Sequence, residues 1–230
     1  MAEHLIIAID GPAGAGKTTL GRMLARELGL LYIDTGSMYR AVALAVLESS
    51  VNASDDVAVG SLARRIDIDL HGDPDALKIT LGGRDVTEEI RSDEVTHLSS
   101  IVSTIPAVRR AMVERQREMG RRGAVLNGRD IGTVVFPNAD VKFFLTAAPE
   151  ERAQRRFAEE QTLDHGASFA DTFADMNERD RRDSTRADSP LKIADDAIVI
   201  DSTGLSIQEA FERMLAVVFE ESHRGTETQR

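Results

Sequence analysis

Short apolar runs alternate along this chain with longer stretches that have helical periodicity. Residues 5–9 form a continuous apolar run that ends at Asp10, and we predict a buried strand over 5–10. From Lys17 to Leu28 the leucines recur every four residues and Gly29 follows, a pattern that predicts a helix ending there. Four further strands are predicted at 31–34, 124–126, 141–145 and 197–200, and another helix at 37–47. Strands that alternate with helices predict an α/β fold, with a five-stranded parallel sheet between two helical layers.

The stretch 62–103 departs from this alternation. Apolar and polar residues alternate at 66–70 and again at 77–81, around a turn-forming His-Gly-Asp-Pro. Such alternation predicts an antiparallel hairpin with one face in water, which Gly82-Gly83 and a short helix should follow. We interpret this stretch as an inserted subdomain that binds an acceptor. The alternative is that this stretch is an insertion without a functional role.

A second departure covers residues 150–187, where arginines and acidic residues are dense and strand patterns are absent. It predicts two polar helices joined by a mobile turn near 164–166, and we interpret the region as a helical lid. The polar residues 223–230 are expected to form a disordered tail. The whole chain, 1–230, is expected to be a single domain.

Charge and composition exclude several classes of partner. The chain has 28 basic and 39 acidic side chains, a net charge of −11, which argues against binding to a nucleic acid polymer or an anionic membrane. It has no cysteine, so disulfides and cysteine-ligated zinc are excluded. Its apolar runs are shorter than the roughly 20 residues of a membrane span, and no basic segment precedes the first of them. These absences predict a cytoplasmic protein.

A glycine-rich segment joins the first predicted strand to the first predicted helix. Residues 11–18 read GPAGAGKT and match the pattern G-x-x-x-x-G-K-[ST]. In such a loop the backbone N–H groups surround phosphates, the lysine reaches the β- and γ-phosphates, and the hydroxyl binds Mg²⁺. ATP is therefore expected to contact Gly11, Pro12, Ala13, Gly14, Ala15, Gly16, Lys17, Thr18 and Thr19.

Three clusters of residues contain arginines and lie next to predicted strands. Two of them follow a strand, and the third precedes the last strand. They occupy residues 34–40, 127–130 and 179–186. The carboxyl ends of parallel strands meet at one edge of a sheet, so the clusters should meet around a ligand. Converging guanidinium groups repel one another unless anions, such as phosphates, lie between them. Together with the phosphate loop, this predicts a kinase that acts on a small phosphorylated acceptor.

Five motifs carry a resemblance to the bacterial cytidylate kinases over nearly the whole chain. They are GPAGAGKT at 11–18, DTGSMYR at 34–40, GRDIGTVVFP at 128–137, RDRRDSTR at 179–186 and DSTGLSI at 201–207. The insertion at 62–103 also resembles a feature of that family. The resemblance implies a P-loop kinase fold, transfer of the γ-phosphoryl group of ATP to CMP or dCMP with Mg²⁺, and a monomer.

The resemblance also implies individual roles. Ser100, Arg109 and Asp130 would read the cytosine, while Arg179 and Asp183 would contact the ribose. The acceptor phosphate would be clamped by Arg40, Arg129 and Arg186, with Thr35 nearby. Arg152 and Arg156 would be lid arginines that face the triphosphate. Of these, Arg129, Arg156 and Arg186 would act in catalysis together with Lys17.

Asn127 departs from the family pattern, in which Asp or Glu usually precedes Gly-Arg-Asp. An amide brings no negative charge to a metal ion. Our hypothesis is that Mg²⁺ is held by Thr18 and the phosphates, with water-mediated help from Asp34. Three alternatives stay open: a kinase for UMP, AMP or shikimate, a regulatory ATPase, and an inactive nucleotide-binding module, which Asn127 raises.

Overall fold

The computed structural model describes residues 4–162 and 168–227. Its main sheet is parallel and has five strands in the order β2-β6-β1-β7-β8. The predicted five-stranded parallel sheet is therefore confirmed. The strands are β1 (Ile6–Asp10), β2 (Leu31–Asp34), β6 (Ala124–Gly128), β7 (Val141–Thr146) and β8 (Ile198–Asp201).

The order of the strands determines where the helices lie. The chain steps from β1 to β2 in one direction and returns through β6 to β7 in the other. Because such crossovers are right-handed, α1 and α5 lie on opposite faces of the sheet, and α8 packs against α1. The helices are α1 (Lys17–Leu28), α2 (Thr35–Glu48), α3 (Asp56–Arg65), α4 (Asp93–Val102), α5 (Pro106–Gly120), α6 (Pro149–Thr162), α7 (Phe169–Thr185) and α8 (Ile207–Glu227).

The insertion contains a second, antiparallel sheet of three strands: β3 (Ile68–His71), β4 (Lys78–Leu81) and β5 (Arg84–Asp85). The predicted hairpin is confirmed, and β3 alternates buried and exposed residues. The short helix predicted after Gly82-Gly83 is present at Glu89–Arg91, but a further strand that was not predicted, β5, precedes it. Both glycines have positive φ, 57° and 80°, as a two-residue type I′ turn requires, so the chain folds back into β5 first. Residue 62, where the insertion was predicted to start, lies within α3.

The two polar helices predicted for the lid region are α6 and α7. The turn predicted near 164–166 lies outside the described residues. Both helices rest on the phosphate loop, because a Cβ added at Gly14 would lie 2.7 Å from the Arg152 carbonyl oxygen and 2.8 Å from Met176 Cε. A side chain at position 14 would therefore push the helices away from the loop.

The C-terminal helix is longer than the sequence pattern indicates. It continues to Glu227, so residues 223–227 of the predicted disordered tail are helical; residues 228–230 lie outside the described part of the chain. A formed helix gains one hydrogen bond for each residue added, which favours continuation. No helix within residues 4–162 and 168–227 is both long and apolar enough to cross a membrane.

Candidate active site

The phosphate loop connects β1 to α1, as its sequence context predicts. Lys17 is buried and its Nζ donates to the Pro12 carbonyl oxygen at 2.6 Å. Burial lowers the pKa of Lys17 well below its usual range, and the charges of Arg129 and Arg179 lower it further. The guanidinium groups of Arg129 and Arg179 are therefore close enough to the loop to repel the Lys17 cation.

The predicted acceptor arginines also repel one another. The pKa of Arg179 is lowered to about 10 by burial and by repulsion from Arg129. Burial, followed by the charge of Arg109, lowers the pKa of Arg186. A protein with a net charge of −11 therefore carries a strongly basic pocket, which suits an anionic ligand.

Five of the predicted substrate residues form one continuous network of charges. Arg129 Nε donates to Asp183 Oδ2 at 2.7 Å. Arg186 lies 3.6 Å from Asp183 and 3.6 Å from Asp130, and Asp130 accepts a short hydrogen bond from Arg109. The network joins the end of β6 to α5 and α7, so the structure brings together residues that lie far apart in the sequence.

The pair of Arg109 and Asp130 is the most buried part of this network, with relative exposures of 1% and 5%. Burial lowers the pKa of Arg109, but Tyr39 and Asp130 outweigh it and the net pKa is raised. Tyr39 lies under the guanidinium at 5.6 Å, and burial raises its pKa to about 12. The Arg109 cation is thus held in place from two sides.

Several of these arginines carry buried N–H groups that lack a hydrogen-bond partner among the described residues. A buried unpaired donor costs about 1–3 kcal/mol, and ligand oxygens would remove that cost. The predicted substrate residues with such atoms are Arg40 (Nε), Arg109 (Nε), Arg179 (Nε) and Arg186 (Nη2).

Arg40 and Thr35 lie at the beginning of α2. Arg40 Nη2 donates to Ser37 Oγ at 2.7 Å and to Asp34 Oδ2 at 3.3 Å. Burial raises the pKa of Asp34, but Arg40 and Ser37 outweigh it, so the pKa is lowered and the carboxylate stays charged. Thr35 Oγ1 donates to the Asn127 carbonyl oxygen at 2.7 Å. The hydroxyl thus ties the start of α2 to the end of β6.

Oxygen ligands suited to a hard cation converge beside the phosphate loop. Asp34 and Asn127 are paired across β2 and β6, and Asn127 Nδ2 donates to Thr18 Oγ1 at 3.3 Å. Asn127 Oδ1 is buried and has no hydrogen-bond partner among the described residues. A hydroxyl, a carboxylate and an unpaired amide oxygen fit Mg²⁺ with some of its waters retained.

The two predicted lid arginines have different surroundings. Arg152 Nη1 donates to the Ala13 carbonyl oxygen at 2.9 Å and pairs with Asp180 at 2.6 Å. It therefore contacts the backbone of the phosphate loop itself. Arg156 pairs with Glu159 at 3.4 Å on the same helix, and its charge also contributes to the lowered pKa of Arg179.

Comparison with known proteins agrees with this geometry. The model of the family described as cytidylate kinase matches residues 7–220. The chain belongs to the cytidylate kinase family. The cytidylate kinase of Geobacter sp. (strain M21) is 47% identical over 96% of this chain and 95% of its own length. That of Solibacter usitatus (strain Ellin6076) is 51% identical over 94% of this chain and 93% of its own.

A solved structure of an uncharacterized protein from Eubacterium ventriosum ATCC 27560 is similar to this family member in fold. The two superpose with a TM-score of 0.53 at 11% identity, over 93% of this chain and 98% of that one. At this identity the likeness concerns the fold alone.

Sequence reasoning missed three residues of this site: Asp10, Asp180 and Arg182. The Asp10 carboxylate accepts from the N–H groups of Ile131 at 2.8 Å and Gly132 at 2.7 Å, so it anchors the loop that follows Asp130. The sequence feature that could have revealed Asp10 is a charged residue at the end of a predicted buried strand.

The other two missed residues lie on α7. Asp180 accepts from the Ala13 N–H at 3.2 Å. Arg182 donates to Ser100 Oγ at 2.6 Å, and no feature of the sequence indicated that Ser100 has this partner. Both residues stand within the quoted RDRRDSTR motif, but the spacing alone does not tell which of its charges face the site.

Asp10→Asn is expected to raise the KM for CMP about tenfold, because an amide offers one acceptor oxygen to two N–H groups that the carboxylate now satisfies.

Burial raises the pKa of Asp10 to about 6, so its protonated form favours the fold. That contribution is present below about pH 4 and is lost as the pH rises through 6. The free energy of unfolding of the wild type minus that of Asp10→Asn should therefore fall by about 2 kcal/mol between pH 4 and 7. Urea unfolding measures it, and a constant difference would contradict the assignment.

Proposed function

We propose that this protein transfers the γ-phosphoryl group of ATP to CMP or dCMP, and releases ADP with CDP or dCDP. The observation that carries the proposal is the buried pair of Arg109 and Asp130, continued by Arg186, Asp183 and Arg129 toward the phosphate loop. One end of this network suits a polar base edge and the other suits a phosphate. The names of its relatives support the same activity.

The pair at the buried end complements cytosine. Cytosine presents an exocyclic amino group beside the N3 and O2 acceptors, so a carboxylate can accept from the amine while a guanidinium donates to the ring. Uracil has a carbonyl where cytosine has the amine. A carbonyl facing Asp130 would lose a hydrogen bond and add repulsion between oxygens, which disfavours UMP.

Phosphoryl transfer requires an in-line arrangement and neutralisation of the charge on the transferred group. Lys17 and the loop N–H groups would hold the donor phosphates, which Arg152 and Arg156 would face from the lid. Arg40, Arg129 and Arg186 would hold the acceptor phosphate. The attacking acceptor oxygen is already anionic, so no residue needs to remove a proton from it. Mg²⁺, when bound, neutralises further phosphate charge, and Thr18, Asp34 and Asn127 would hold it.

The insertion at 62–103 would then be the acceptor-binding subdomain, and residues 150–187 the lid. Closure of α6 and α7 would exclude water that could otherwise take the phosphoryl group. Hydrogen exchange in α7 should slow when both nucleotides are bound, compared with either alone. Equal exchange with and without the ligands would contradict the lid proposal.

The test of the function is a coupled ADP-release assay with ATP and Mg²⁺. The acceptors are CMP, dCMP, UMP, AMP, GMP and shikimate, together with a control that has no acceptor. Turnover with CMP and dCMP supports the proposal. Preference for another acceptor would retain a kinase but overturn the base assignment. ADP release without an acceptor would indicate an ATPase, and inactivity throughout would indicate a binding module.

Asp34→Asn is expected to raise about tenfold the Mg²⁺ concentration that gives half the maximal rate, since a neighbouring carboxylate tunes a metal site by 10–100-fold. Asn127→Asp adds a charge at the same site and should lower that concentration. Titration of each variant's ADP complex with Mn²⁺, monitored by electron paramagnetic resonance, measures the affinity for the metal independently of activity. Because Asp34 also holds Arg40, the KM for CMP is measured alongside. An unchanged metal requirement in Asp34→Asn would contradict the role of Asp34.

A further inference from the structure

The hydroxyl of Ser100 on α4 makes two hydrogen bonds, and these determine whether it can donate to a ligand or only accept from one. It donates to the His97 carbonyl oxygen at 2.9 Å and accepts from Arg182 Nη1 at 2.6 Å. A serine hydroxyl has one hydrogen and two lone pairs. The hydrogen and one lone pair are therefore committed, and the remaining lone pair can only accept.

Arg182 is suited to keep the Ser100 hydroxyl in the role of an acceptor. A guanidinium has no acceptor and does not lose its proton in proteins, so its bond to Ser100 has only one direction. Its side chain is 27% exposed and its Nε lies 3.3 Å from Glu178 Oε1, one turn earlier on α7. Water in the same place could donate or accept, and Ser100 could then turn its hydrogen toward a ligand.

Ser100 also stands close to the buried pair that would read the base. Arg109 Nη1 donates to the Ser103 carbonyl oxygen at 3.1 Å, which lies one turn after Ser100. Ser103 Oγ in turn donates to the Ser100 carbonyl oxygen at 3.1 Å. The last turn of α4 is thereby attached to the pair of Arg109 and Asp130.

We propose that Arg182 is a specificity-determining positioning residue, which acts by holding the Ser100 hydroxyl as an acceptor. A ligand that presents an N–H donor to Ser100, such as the amino group of cytosine, gains a hydrogen bond. A ligand that presents a carbonyl meets a lone pair instead. This inference rests on the proposed function, because it assigns the acceptor base to this side of the pocket.

The experiment measures kcat/KM for CMP and for UMP in the wild type and in variants of the two residues. Arg182→Met keeps the length of the side chain and removes the donor, and it should lower the CMP-to-UMP ratio about tenfold, the worth of one hydrogen bond. Arg182→Lys retains a donor without an acceptor and should restore most of the ratio. Arg181→Met is the matched control, since Arg181 is 64% exposed and also pairs with Glu178, and it should leave the ratio unchanged.

A double-mutant cycle tests whether Arg182 acts through Ser100. Ser100→Ala should lower the ratio by a similar factor, and adding Arg182→Met to it should change the ratio no further. If Arg182→Met lowers activity with CMP and UMP equally, or lowers the ratio in the Ser100→Ala background too, the inference is overturned. An unchanged ratio in Ser100→Ala also overturns it.

Failure of the proposed function gives a different result. A wild-type protein that does not prefer CMP to UMP would overturn the proposed function, and with it the inference. A wild type that prefers CMP, whose preference survives Arg182→Met, would overturn the inference alone. In that case the role of Arg109 and Asp130 stands.

Discussion

Lys17→Met is expected to lower kcat with CMP by about 10³-fold or more, because it removes the cation that we expect to contact the β- and γ-phosphates. The folded protein should not lose stability in return. In the ligand-free state Lys17 is buried and is repelled by Arg129 and Arg179, so a neutral side chain relieves repulsion. Activity and stability are therefore expected to separate in this variant.

Single-turnover kinetics and thermal unfolding with and without ATP measure both effects. ATP should raise the melting temperature of the wild type much more than that of Lys17→Met. Lys78→Met is the control, since Lys78 is exposed on β4, and it should retain wild-type kcat. A Lys17→Met variant with kcat within tenfold of the wild type would contradict the role of this lysine.

Asp130→Asn is expected to lower both the preference for CMP and the stability. The carboxylate faces two arginines, and removing one member of a buried ion pair costs about 3–5 kcal/mol. An amide can also donate to the carbonyl of uracil, which the carboxylate cannot. The CMP-to-UMP ratio of kcat/KM should therefore fall by about 10³-fold, within the range for sites that read substrate polar groups.

Urea unfolding and competition between CMP and UMP measure these two consequences. Asp56→Asn serves as the control, since Asp56 is an exposed residue at the start of α3, and it should change neither quantity. Asp130→Asn with an unchanged nucleotide preference would contradict the base-reading role. Unchanged stability would contradict the account of Arg109 as a cation balanced by Asp130.

Much of the fold could be predicted because its signals are local. Lys17–Leu28 and Leu31–Asp34 were predicted with the bounds that α1 and β2 have. Within a helix or a buried strand, the period of the apolar residues reports the secondary structure directly. β5 was missed because it has only two residues, too few to show alternation. It exists through its pairing with β4.

The phosphate loop could be predicted from the sequence more fully than the rest of the site. The phosphate loop is a contiguous motif, so its residues and its place before α1 follow from the sequence alone. The acceptor residues were assigned by resemblance, and that assignment remains a prediction; the structure shows that two of them, Arg109 and Asp130, are in contact. The bond from Arg182 to Ser100 spans 82 positions and has no sequence signal.

The sequence by itself determined the phosphate loop, the five core strands, the polar helices α6 and α7 and the types of charge available to the pocket. Only the tertiary structure decided the strand order, the anchoring by Asp10 of the loop that follows Asp130, and which arginine faces which acid. The physical reason is that backbone patterns depend on neighbours in the chain. A buried charge instead depends on whichever groups the fold places within hydrogen-bonding distance, and these come from distant segments.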